Sequence, residues 1–127
     1  MEKPGDYDIR VSVEPAFLEG ESDASQDRYV FSYTVQIHNA GTVPAQLLTR
    51  HWLITDTNGK IQEVRGDGVI GQQPRLAPGE TYRYRSFAML ETSVGTMEGS
   101  YQMQADDGMR FEAPIERFTL SVPRVIH

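Results

Sequence analysis

Apolar and polar residues exchange at every second position along most of this chain, and no stretch carries an apolar stripe at i, i+3, i+4, i+7. A period of two is the mark of a strand that buries one side of a pleated surface; a helix would repeat at 3.6. Tyr7, Ile9, Val11 and Val13 alternate with Asp8, Arg10, Ser12 and Glu14, and Pro15 is expected to end that strand. Tyr29, Phe31, Tyr33, Val35 and Ile37 give the strongest second strand. Between them, Glu19, Glu21, Asp23 and Asp27 against Arg28 leave a charge of −3 and predict a long mobile, solvated loop, pinned by Phe17 and Leu18. Asn39-Ala40-Gly41 signals a turn. Ala45 to Thr55 carries apolar residues at both parities, which reads as a central strand buried on one side and partly covered on the other. Asn58-Gly59 predicts a tight hairpin returning through Lys60 to Arg65.

Further strands are expected at Glu80 to Phe87, with Tyr82 and Tyr84 opposite Arg83 and Arg85, and at Met97 to Ala105. Leu90 to Thr96 reads as a loop or a short helical turn. After Asp106-Asp107-Gly108 the apolar positions are odd up to Ile115 and even from Phe118. A two-residue period changes parity only by inserting a residue, so a bulge or bend is predicted between Pro114 and Arg117, with Pro114 blocking a ladder bond. Seven to eight short, mainly antiparallel strands without helices must press two sheets together. The chain 1–127 is therefore expected to be one all-β domain, an immunoglobulin/fibronectin III-like β-sandwich.

Composition limits the chemistry. There is no cysteine, which removes disulfides, thiolate metal sites and cysteine nucleophiles. Twelve Lys and Arg against eighteen Asp and Glu give −6, which opposes binding to nucleic acid or an anionic membrane. No apolar run is long enough to insert in a bilayer and Met1 to Asp6 opens no signal peptide, so a cytoplasmic protein is expected.

One motif invites a phosphate reading. Gly66, Gly68 and Gly71 match G-x-G-x-x-G, whose glycines let backbone amides approach a pyrophosphate. Lys60 to Arg85 holds five basic and three acidic residues, so Arg65 or Arg75 would assist such an anion loop. Pro74 and Pro78 follow where a helix should start, and Asp67 places a negative charge within the cradle, so glycine turns are the stronger reading. His38, His51 and the terminal His127 have no ligand-like spacing; a hydrogen-bonded histidine is expected at each and a metal site at none. Asp106-Asp107 and the acidic loop could attract divalent cations weakly, without the spacing of a calcium loop. No G-x-S-x-G elbow is present, Trp52 and the tyrosines are expected in the core, and no catalytic residue or cofactor is assigned.

The stretches RYVFSYTVQIHNAG (28–41), QLLTRHWLITDTNG (46–59), VRGDGVIGQQPRLAPGE (64–80), GTMEGSYQM (95–103) and SVPRVIH (121–127) resemble bacterial ApaG proteins, also called CorD, over nearly the whole chain. The resemblance implies the same sandwich. It also implies an association with cobalt resistance, magnesium efflux and a neighbouring diadenosine tetraphosphate hydrolase. The domain occurs in some eukaryotic F-box proteins, where it resembles an interaction module. The chain departs from the family pattern at Tyr84-Arg85-Ser86-Phe87, where Tyr-Thr-Ser-Gly is common, and at Ser93 and Glu116, where proline is common. The expected function is a non-enzymatic accessory or adaptor acting on an unknown protein partner, with homo-oligomerisation left open. The alternatives are a nucleotide or pyrophosphate module built on the glycine loop, and a weak divalent-cation binder.

Overall fold

The computed structural model describes residues 5–123. Its eight strands are β1 (Ile9–Phe17), β2 (Tyr29–Asn39), β3 (Ala45–Asp56), β4 (Ile61–Asp67), β5 (Arg75–Leu76), β6 (Thr81–Leu90), β7 (Val94–Ala105) and β8 (Arg110–Ser121). They form two antiparallel sheets, ordered β1-β2-β6 and β4-β3-β7-β8, with the short β5 added to β3. The chain changes sheet after β2, again after β5 and again after β6, the crossing pattern of an immunoglobulin- or fibronectin III-like sandwich. The expected fold class therefore stands. The terminal residues that close the SVPRVIH stretch, His127 among them, lie outside the described residues.

Alternation builds the core. Phe31, Val35 and Ile37 from one sheet meet Leu47, Trp52, Met97, Tyr101, Met103 and Leu120 from the other, all nearly solvent-free. Trp52 sits at the centre, its ring 5.3 Å from Tyr33 and edge-on to Tyr101 and Phe118 at 6.4 and 6.1 Å. Such tilted and T-shaped pairs place the positive ring edge on the negative face of the neighbour.

Both prolines behave differently from expectation, for one reason. Pro15 does not end β1, which continues to Phe17. Pro114 does not block a ladder bond. β1 and β8 are edge strands. Leu18 N donates to Val30 O, and Ala105 N to Met109 O, which fixes the parity of each ladder. In both strands the proline nitrogen then points to the free edge, where no donor is required.

The predicted bulge is present. Met97 pairs with Phe118 but Gly99 pairs with Ile115, so β8 holds one residue too many at Glu116–Arg117. A second bulge, in β3, explains its two apolar parities. Leu47 pairs with Met103 and Thr49 with Gln102, leaving Leu48 extra. Ala45 and Leu47 before it, and Trp52 and Ile54 after it, thus face the same core.

The acidic connection 18–28 is ordered by short 3-10 turns at Glu19–Glu21 and Ala24–Gln26. Ser22 Oγ donates to Leu18 O and accepts from Val30 N, while the Phe17 ring lies tilted 5.5 Å from that of Phe31. Leu90 to Thr96 contains no helical turn; β6 runs to Leu90, and β7 begins at Val94.

Candidate functional site

The glycine motif closes a hairpin rather than opening a helix. Val69 and Gln72 exchange backbone hydrogen bonds of 2.8 and 2.9 Å, leaving Ile70 and Gly71 as a two-residue loop. Both have positive φ, 43° and 78°, the mark of a type I′ turn. Gly68 N donates to Leu48 O. The amides of Gly68, Val69 and Gln72 are therefore bonded within the protein rather than presented to an anion.

Two of the glycines answer to close packing. A Cβ on Gly66 would lie 2.7 Å from the Arg50 guanidinium, which spreads across this position from the paired strand. Arg50 Nη1 donates to Asp67 O and Gly68 O, each at 3.0 Å, and so ties β3 to the loop. A Cβ on Gly68 would lie 2.3 Å from Gln72 O.

The two arginines do not converge on the loop. Arg65 stands on the outer side of β4 and shares Glu63 with His51. Arg75 leans to the β7–β8 turn, where Nε donates to Asp106 Oδ1 at 3.0 Å and Nη2 bonds the other oxygen. That hydrogen bond, and then the positive charge behind it, holds the Asp106 carboxyl below the usual range.

The outer face of the five-stranded sheet carries two adjoining grooves of about 580 and 540 Å³, both lined by His51, Ser100 and Glu112. His51 Nε2 lies 3.0 Å from Glu63 Oε2, and that bond comes first among the causes that lower the Glu63 carboxyl. Ser100 is the ladder partner of His51, yet no hydrogen bond joins them, so His51 is not placed to take a proton from it. His38, on the other sheet, bonds Thr81 Oγ1 at 2.8 Å. Among the described residues, no three histidine or acidic side chains form a group able to hold a metal ion. No helix there is long and apolar enough to cross a membrane.

A different surface stands out on the three-stranded sheet. Thr81, Arg83, Arg85, Phe87 and Met89 share the outer side of β6, a strand at the sheet's edge. Phe87 and Met89 are 59% and 48% exposed. The Arg85 guanidinium carbon lies 5.4 Å from the centre of the Phe87 ring. The alternation that put both arginines opposite Tyr82 and Tyr84 was readable in the sequence. That β6 has no strand beyond it was not.

Comparison with known proteins agrees along the chain. Residues 19–105 match the family model for the ApaG domain. Protein ApaG of Thiobacillus denitrificans is 60% identical over 121 residues, 95% of each chain. Protein ApaG of Azoarcus sp. is 54% identical over the full length of both. The crystal structure of a Bordetella pertussis protein described as ApaA superposes with a TM-score of 0.91 at 53% identity, covering 94% of this chain and 97% of that one. The two-sheet fold, the hairpin carried by the glycine motif and these identities together place the chain in the ApaG domain family.

Proposed function

We propose that this protein is a non-enzymatic accessory module that works by binding another protein. The reading is carried by Phe87 and Met89, two large apolar side chains held side by side in solvent on an edge strand. Both are already about half covered, so burying the rest in a complex favours it by roughly 1 kcal/mol per side chain. The association with cobalt resistance and magnesium efflux that the ApaG resemblance brings then acts through the partner. A pyrophosphate site on Gly66, Gly68 and Gly71 has less support, because the neighbouring amides are already bonded and Arg75 is held by Asp106.

Capture from an extract of the native cell tests the proposal, with wild-type protein and the Phe87→Ser/Met89→Ser variant as parallel baits. A protein retained by the first and lost with the second is the expected result. Equal capture by both baits, or turnover of ATP or diadenosine tetraphosphate by the purified protein, would overturn it.

A further inference from the structure

We infer that the free edge of β6 receives an extended acidic segment of the partner, which adds to the three-stranded sheet as a fourth strand. The inference rests on the interaction reading above and specifies its site and chemistry.

The direction of the backbone groups comes first. Asn39 N donates to Glu80 O, so even-numbered residues of this strand turn their amides and carbonyls to β2. Odd-numbered residues turn theirs outward, and Met89 O accepts from Gln62 Nε2 on that side. β4 reaches β6 there through this bond and the Lys60–Glu91 pair, both at the Leu90 end. From Thr81 to Phe87, the outward backbone groups have no strand to pair with. An unpaired edge of this length is a template for strand addition.

Side chains then select what pairs. The residues with free backbone groups are those whose side chains stand on the outer face: Arg83, Arg85 and Phe87. Arg10, Lys60, Arg65, Arg75 and Arg117 each have a carboxylate within ion-pair distance; among the described residues Arg83 and Arg85 have none, nor do Arg28, Arg50 and Arg110, which lie on other parts of the chain. Two uncompensated cations on one edge, in a chain of net charge −6, call for carboxylates at alternate positions of the incoming strand. Arginines alone would serve as guards against edge pairing. The exposed Phe87 and Met89 beside them do the opposite, because they reward an apolar residue next to the acidic pair. A second copy paired with β6 about Tyr84 or Arg85 would bring arginine onto arginine. In the antiparallel sense the segment reads apolar-x-acidic-x-acidic from its N-terminus.

The probe is a blocked peptide, Thr-Val-Thr-Glu-Thr-Glu-Thr, added at millimolar concentration to the isotope-labelled full chain and followed by amide NMR. The amides of Arg83, Arg85 and Phe87 are expected to shift and to saturate. A peptide with lysine in place of glutamate should bind about tenfold more weakly or not at all. The Arg83→Glu/Arg85→Glu variant, both changes on exposed side chains, should reverse that preference while its spectrum remains that of the folded protein. Three outcomes overturn the inference: no movement of the β6 amides, equal response to the two peptides, or β6 shifts that follow protein concentration without peptide. If the β6 amides stay still while Phe87→Ser/Met89→Ser still abolishes capture, the strand inference fails and the interaction reading survives.

Discussion

Residue positions in the core show how polar groups are tolerated there. Tyr84 on β6 and Tyr101 on β7 come from opposite sheets, and their hydroxyls hydrogen-bond to each other in the interior. Burial is the first cause that pushes both phenols above their ordinary range. Removing one hydroxyl leaves the other buried without this partner, which costs about 1–3 kcal/mol. We therefore expect Tyr84→Phe and Tyr101→Phe each to lower stability in urea by an amount of that order. The double variant should lose clearly less than the sum of the two, because nothing remains unsatisfied. Additive losses would show that the two hydroxyls do not depend on each other. Gly66 makes the complementary point: its missing side chain is the space that the Arg50 guanidinium occupies. The sequence favours a glycine turn at this position and leaves a phosphate cradle as the alternative, because the arginine across the ladder is not visible in it.

At the level of elements, what was legible depended on whether a rule was applied everywhere it held. The parity change from Ile115 to Phe118 located the β8 bulge correctly. The same change separates Leu47 from Trp52 and Ile54 in β3, where in the sequence it looks like apolar character on both faces. Pro15 and Pro114 differ from expectation because strand position within a sheet is a tertiary property; on an edge, a missing donor costs nothing when it points outward. The glycine hairpin was legible as a turn, but not its detail. Its first central residue is Ile70, a β-branched side chain at φ 43° and 58% exposed, where asparagine or glycine is the favoured choice. Left-handed backbone costs such a residue roughly 1–2 kcal/mol. Ile70→Asn should accordingly raise thermal stability, by about 1 kcal/mol when converted to free energy. A lower melting temperature would mean that the Ile70 side chain holds the loop in a way its exposure conceals.

For the whole molecule, closing two sheets over a phenol-rich interior couples the fold to alkaline pH. Tyr33, Tyr84 and Tyr101 are all buried, and burial leads the causes that raise each of them above the ordinary 10.0. The folded chain therefore keeps these protons at a pH where the unfolded chain releases them. Stability from this source is complete below pH 10.0 and is lost as pH rises through the folded values. Tyr33 and Tyr101 cannot ionise in place without putting a phenolate into the core beside the Trp52 ring, nor Tyr84 without putting one against the buried Tyr101 hydroxyl, so ionisation and unfolding become one event. Of the six tyrosines in the chain, these three should contribute tyrosinate absorbance only in a cooperative step that coincides with loss of the strand signal in circular dichroism. Tyr101→Phe removes one of the coupled protons and should make that step less steep in pH. A gradual titration of these three with the circular dichroism unchanged would mean that water reaches the interior, and that the sheets pack less tightly than the alternation of side chains requires.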